Sequence, residues 1–162
     1  MSGSADEPVG AATHRRLAVA LYNRAWSLLE QDARSPEDDD ELVHAAHASR
    51  WHWGEVGTPA NLARGEWLCA RVYATLGRAE PALHHGERCL RLVEAGGEGF
   101  EDWDRAAAHE AIARARLTVG DVAGAHTAFA LATESATVVA DPDDRAQIER
   151  ELAGLAELLS RS

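Results

Sequence analysis

The chain has 162 residues, of which 46% are hydrophobic, so it is long enough to form one domain with a buried core. Its net charge of -11 opposes binding to nucleic-acid phosphates and to anionic membrane surfaces, and we expect neither as a partner. All 16 basic residues are arginines, which excludes chemistry that needs a lysine, such as a Schiff base.

Targeting signals and cysteine patterns are both lacking in this sequence. The first residues contain no apolar segment typical of a signal peptide, and no run approaches the roughly 18 apolar residues of a membrane span. Cys69 and Cys89 lie among apolar residues of predicted helices, without the spacing of a zinc motif. We therefore expect a cytoplasmic protein with two reduced core cysteines.

Helical periodicity dominates the chain, and no segment alternates as a strand would. Residues 1–12 are small and polar and are predicted to be a disordered tail, whereas residues 13–162 are predicted to form a single helical domain. The acidic run from Pro36 to Asp40 is interpreted as a solvated helix start rather than a lid. The predicted helices cover about 13–31, Pro36 to near Gly57, 59–76, 79–94, 101–119, 122–139 and 143–160.

An internal repeat relates the segment that begins at Ala63 to the one that begins at Ala106. Each segment is a helix, a glycine turn and a second helix, with small residues where the two helices must approach closely. The matched pairs are Ala70 with Ala113, Leu76 with Val119, Gly77 with Gly120, Ala82 with Ala125, and Cys89 with Ala132. The pattern predicts an all-α stack of about three antiparallel helix–turn–helix pairs, closed by a C-terminal capping helix over 143–160.

The repeat resembles the tetratricopeptide repeat (TPR), in a long variant. That family has a small residue in the first helix, an aromatic three positions later, a glycine turn and two small residues in the second helix. These roles fall on Ala70, Tyr73, Gly77, Ala82 and Cys89. The family's early Trp and its closing Pro are absent, and extra residues lie at 96–99. The resemblance implies a concave groove, lined by the first helix of each pair, that binds a protein or peptide.

Arginine and tryptophan side chains are predicted to line this groove. Arg64, Trp67 and Arg71 share one face of the third helix because they are three and four residues apart. Arginine beside tryptophan suits recognition of carboxylates, although intramolecular ion pairs would use the same residues. We expect a TPR-like binding module for a peptide or small acidic ligand. Its expected binding residues are Arg64, Trp67, Arg71, Glu110, Arg114 and Trp51.

The segment HAAHASRWHW, residues 44–53, suggests an alternative function. His44, His47 and His52 are candidate catalytic residues of a small enzyme or ligand-binding protein, in a pocket between the first three helices. Tryptophans would wall that pocket, and the same aromatic patch could instead form the interface of a structural homo-oligomer.

A metal site at this segment would need three or four converging ligands. Glu41, His44 and His47 are the local candidates, but they lie on one side of one helix. Another histidine could complete the set only if the fold brings it close, and His84 and His85 are expected to face solvent. We therefore favour packed, hydrogen-bonded histidines and expect no cofactor.

Overall fold

The computed structural model describes residues 8–162, which form seven α-helices and no strand. The helices are α1 (Ala11–Leu29), α2 (Pro36–Val56), α3 (Pro59–Thr75), α4 (Ala79–Ala95), α5 (Asp104–Val119), α6 (Val122–Ala136) and α7 (Pro142–Leu159). The predicted fold class is confirmed. Helix α1 begins two residues earlier than predicted, inside the expected tail, of which residues 1–7 lie outside the described residues. In the described part of the chain, no helix has both the length and the apolar character that a membrane crossing requires.

Three helices begin with a side-chain cap followed by proline. The side chains of Ser35, Thr58 and Asp141 each accept a backbone N–H bond at the start of α2, α3 and α7. Ser35 and Asp38 also form a reciprocal capping box. The acidic run is therefore the first turn of α2, as predicted, where the helix dipole favours negative charge.

The repeat found in the sequence corresponds to equivalent positions in two helix pairs. Gly77 after α3 and Gly120 after α5 have φ angles of 68° and 87°, a left-handed conformation that favours glycine. The paired small residues are all buried: Ala70, Ala113, Ala82, Ala125, Cys89 and Ala132. These residues let the two helices of each pair approach closely.

The helices form two layers. Helices α1, α3 and α5 pair with α2, α4 and α6. Helix α3 also contacts α1 and α5, and α5 contacts α7, so these four helices form a continuous inner layer. Within residues 8–162 the backbones of the outer helices α2, α4 and α6 do not pack directly against one another, and α2 meets α4 through side chains such as those of His47 and His85. The stack therefore curves toward the inner layer, which forms its concave side.

Helix α7 covers the last helix pair. Its buried side chains Ile148, Leu152, Leu155 and Leu159 pack against the apolar faces of α5 and α6. The polar side of α7 faces solvent, as expected of the cap of a helical stack. The extra residues between α4 and α5 form a loop that folds back on α3, where the Ala60 N–H donates to the Glu98 carbonyl.

Candidate functional site

The concave side of the stack contains a cavity of about 250 Å³. Its aromatic walls are Tyr22 and Trp26 from α1, Trp67 from α3, and Trp103 at the start of α5. The Trp26 and Trp67 rings lie 5.5 Å apart, centroid to centroid. Burial raises the pKa of the Tyr22 hydroxyl, so it stays protonated at neutral pH. The cavity offers flat apolar surfaces to a ligand.

Arg64 is fixed at one side of the cavity by a bidentate ion pair. Its Nε and Nη2 atoms donate to the two carboxylate oxygens of Asp104 at 2.9 and 2.8 Å. Its guanidinium group also lies 4.4 Å from the centre of the Trp103 ring, a cation–π arrangement. Asp104 is only 3% exposed, so this pair joins α3 to α5 in a poorly hydrated place.

A second ion-pair network joins α3, α5 and α7. Arg71 donates to Glu110 at 3.2 Å and to Glu151 at 2.7 Å. Buried Glu110 also accepts hydrogen bonds from Trp67 Nε1 at 3.2 Å and from Arg114. Three donors therefore satisfy one buried carboxylate, as a buried charge requires.

The structure brings together five of the six expected binding residues, and the sixth lies elsewhere. Arg64 and Trp67 line the cavity, and the network of Arg71, Glu110 and Arg114 lies directly behind it. Trp51 lies near the C-terminal end of α2, is 58% exposed, and contacts the rings of His14 and His52. The intramolecular ion pairs that the sequence left open are formed, with Glu110 and Asp104 as partners.

Carboxylates outnumber guanidinium groups at the cavity wall. Among residues 8–162, one cationic side chain lines the cavity, that of Arg64. Three carboxylates line it as well, those of Asp104, Asp144 and Glu151. Asp104 and Glu151 are paired with arginines. Exposed Asp144 forms no ion pair within the described part of the chain. The cavity therefore combines aromatic walls with an excess of negative charge.

The three histidines of residues 44–53 do not share a pocket. His44 is exposed. The Nε2 atom of His47 lies 2.8 Å from the Tyr73 hydroxyl of α3. His52 faces α1 instead, with its Nδ1 atom 2.9 Å from Nδ1 of His14. The three candidate catalytic histidines therefore do not converge on one site.

The candidate metal ligands Glu41, His44 and His47 do not come together either. Glu41 is held on the surface by Arg24, whose Nε and Nη2 atoms donate at 2.6 and 2.8 Å. Among residues 8–162, the atoms of Glu41, His44 and His47 do not converge on a common point. Spacing along one helix placed these residues on related faces, but their side chains have different partners.

A different cluster lies between α2, α3 and α4. Ligand atoms of His47, Cys69 and His85 all lie within 4.8 Å of one another. Both cysteines are buried, as predicted, and burial raises the pKa of the Cys69 thiol to about 12. His84 is exposed, as predicted, but the expectation that His85 faces solvent is wrong because it packs beside His47 and Tyr73.

Buried Glu66 anchors this cluster. It accepts a 2.6 Å hydrogen bond from His85 Nδ1 and further bonds from Arg50 and Arg88 at 2.9 and 3.2 Å. Burial alone would raise the pKa of Glu66. The hydrogen bond from His85 and the charges of Arg50, His85 and Arg88 outweigh burial and lower the pKa to about 2.

The cavity and the histidine cluster lie on opposite faces of α3. Trp67 faces the cavity and Arg71 the ion-pair network behind it, whereas Glu66 and Cys69 face α2 and α4. The two sites therefore share a helix but no side chain. Comparisons of the chain with family models, with curated proteins and with solved structures found no match.

Proposed function

We propose that this chain is a TPR-like binding module whose concave cavity takes a positively charged group attached to apolar carbon. The observation that carries the proposal is one cavity lined by four aromatic side chains and by three carboxylates against one arginine, where the carboxylate of Asp144 forms no ion pair within residues 8–162. Aromatic faces attract cations through their quadrupoles, and they also bury the apolar part of such a group. An arginine side chain of a partner peptide has this chemistry, and so does a small organic cation.

The ion pairs support a cationic ligand over the acidic one expected from the sequence. An acidic ligand would have to displace Asp104 from Arg64, or Glu110 and Glu151 from Arg71. Displacement would leave buried carboxylates without partners, which costs several kcal/mol. A cationic ligand leaves these pairs intact and approaches Asp144, which forms no ion pair within residues 8–162.

The alternative of a small enzyme has less support. His47 contacts α3 and His52 contacts α1, while His44 is exposed, so no shared acid–base site follows from them. A binding module needs only the cavity and its charge, and both lie where the helices of the inner layer meet.

Tryptophan fluorescence tests the proposal directly. In a chain carrying Trp51→Phe and Trp53→Phe, the remaining tryptophans Trp26, Trp67 and Trp103 all line the cavity. Titration with a blocked Gly-Arg-Gly peptide is expected to change their emission in a saturable way. Choline in a parallel titration separates a small-cation ligand from a peptide side chain.

A conservative pair of variants in α7 provides the control. Asp144→Asn is expected to weaken binding of the arginine peptide because it removes a cavity carboxylate. Asp143→Asn removes an exposed charge next to it that does not line the cavity, and is expected to leave binding unchanged. Saturable binding of Gly-Glu-Gly, without binding of the arginine peptide, would support the acidic ligand that the sequence predicted. The absence of a response to every probe would contradict the proposed function.

A further inference from the structure

The cluster between α2, α3 and α4 has the donor atoms of a transition-metal site. Cys69 supplies a sulfur, and His47 and His85 supply imidazole nitrogens, all within 4.8 Å of one another. The three residues come from three helices: Cys69 lies 22 residues after His47 and 16 residues before His85. The packing of the helices therefore brings them together, since they are far apart in the sequence. We propose that His47, Cys69 and His85 bind a divalent transition-metal ion of the Zn²⁺ type.

The donor set suits Zn²⁺ chemically. Thiolate and imidazole are the ligands that Zn²⁺ prefers in proteins, in a tetrahedral arrangement with bonds of about 2.0–2.3 Å. Such bonds place the donor atoms about 3.5 Å apart. The ligand atoms of His47, Cys69 and His85 lie within 4.8 Å of one another, so metal binding would shorten their separations by at most about 1.3 Å. Hard cations such as Mg²⁺ and Ca²⁺ are disfavoured because they take oxygen ligands.

Three protein ligands leave a fourth coordination position. The Tyr73 hydroxyl lies beside the cluster, 2.8 Å from His47 Nε2. Its ring also stacks on His85, with the ring planes 8° from parallel. Tyr73 or a solvent molecule therefore completes the tetrahedron.

Glu66 acts as a positioning residue for this site. Because His85 Nδ1 donates to the Glu66 carboxylate, the neutral imidazole keeps Nε2 free as a metal ligand. A carboxylate bonded to the far nitrogen of a ligating histidine is the usual support of zinc-bound imidazoles. Arg50 and Arg88 hold the carboxylate in turn.

Cobalt spectroscopy tests the proposal. Chelator-treated full-length chain is titrated with Co²⁺, whose absorption reports both thiolate ligation and tetrahedral geometry. We expect saturation at one ion per chain, with a thiolate-to-cobalt absorption band that Zn²⁺ abolishes by displacement. Zn²⁺ is also expected to raise the melting temperature because it binds only the folded arrangement.

Matched variants identify the ligands. Cys69→Ala is expected to remove the thiolate band and weaken Zn²⁺ binding by about 100-fold. Cys89→Ala, at the other buried cysteine, is expected to retain both. His85→Gln keeps a donor toward Glu66 but lacks the second nitrogen, and tests the site without relying on the cysteine variant.

Three results would overturn the proposal. The first is a cobalt spectrum without thiolate absorption. The second is thiolate absorption that survives Cys69→Ala and disappears in Cys89→Ala. The third is unchanged Zn²⁺ affinity in a folded His85→Gln chain, as judged by circular dichroism.

Discussion

Glu66 shows how one buried carboxylate can stabilise three helices. It lies on α3, is 3% exposed, and accepts bonds from Arg50 of α2 and from His85 and Arg88 of α4. Its charge is stable there only because these donors replace the water that burial removes. The low pKa of about 2 therefore measures how strongly the folded chain prefers the ionised form.

This preference predicts a loss of stability in acid. In the folded chain the pKa of Glu66 is about 2, against 4.5 for an ordinary glutamate, so the unfolded chain binds the proton more tightly. The contribution is complete above about pH 5 and disappears as the pH falls toward 2. It amounts to about 3 kcal/mol. We expect urea unfolding of chelator-treated protein to show this decline between pH 5 and pH 2.

Glu66→Gln isolates the contribution of this group. The variant is expected to be less stable than the native chain at pH 7, because a neutral amide cannot balance Arg50 and Arg88. The difference between the two chains should shrink as the pH falls, since the native carboxylate becomes neutral as well. A difference that stays constant from pH 7 to pH 2 would show that the ionisation of Glu66 does not stabilise the fold.

At the scale of elements, α2 and α3 pack closely at a single glycine. Gly65 lies inside α3 and is buried against Arg50 of α2. A Cβ atom at Gly65 would lie 2.6 Å from Cδ, 3.2 Å from Cβ and 3.3 Å from Cα of Arg50. Rotation of the arginine side chain would move Cδ but would disturb the ion pair of Arg50 with Glu66, and the tight contacts with Cβ and Cα would remain.

Gly65→Ala is therefore expected to destabilise the chain by about 1–2 kcal/mol, because overpacking outweighs the roughly 1 kcal/mol gain in helix propensity. Gly54→Ala is the matched control in α2. It is exposed, and its added Cβ would make only an ordinary 3.5 Å contact with the end of the Arg50 side chain. It is expected to stabilise the chain by about 0.5–1 kcal/mol. Urea unfolding distinguishes the two, and a stabilising Gly65→Ala would refute the close packing.

At the scale of the whole molecule, ion pairs tie the inner layer together. Arg64 joins α3 to α5, and Arg71 joins α3 to both α5 and α7. These pairs surround the cavity, so the same contacts hold the stack together and shape the proposed binding site. Helix α7 contributes Asp144, Gln147, Ile148 and Glu151 to the wall, which makes the cap part of the site.

The sequence predicts the local features of this fold and misses those that depend on packing. Helix ends at Thr58 and Asp141 are predictable because a capping residue and the following proline are neighbours. The partners of His47 are not, because Cys69 and His85 lie on other helices. Periodicity places a residue on a face of its own helix, but the neighbouring helix decides what that face contacts. For this reason the spacing of Glu41, His44 and His47 could name them as local candidates but could not show which side chains come together.

The contribution of α7 as a cap leads to a prediction about cooperativity. Leu155 is fully buried in a cluster with Ile112, Ala113, Ala125 and Ala128 of α5 and α6, whereas Leu158 on the same helix is 42% exposed. Leu155→Ala is expected to cost about 2–5 kcal/mol, and Leu158→Ala at most about 0.5 kcal/mol.

Calorimetry of these two variants tests whether the cap and the stack unfold together. Because Arg71 links α7 directly to α3 and α5, the loss at Leu155 should lower the melting temperature of the whole chain in a single transition. Separate melting of α7 at a lower temperature, with the remaining helices unaffected, would contradict this coupling. In that case α7 would be a detachable cover, and the cavity would open before the stack unfolds.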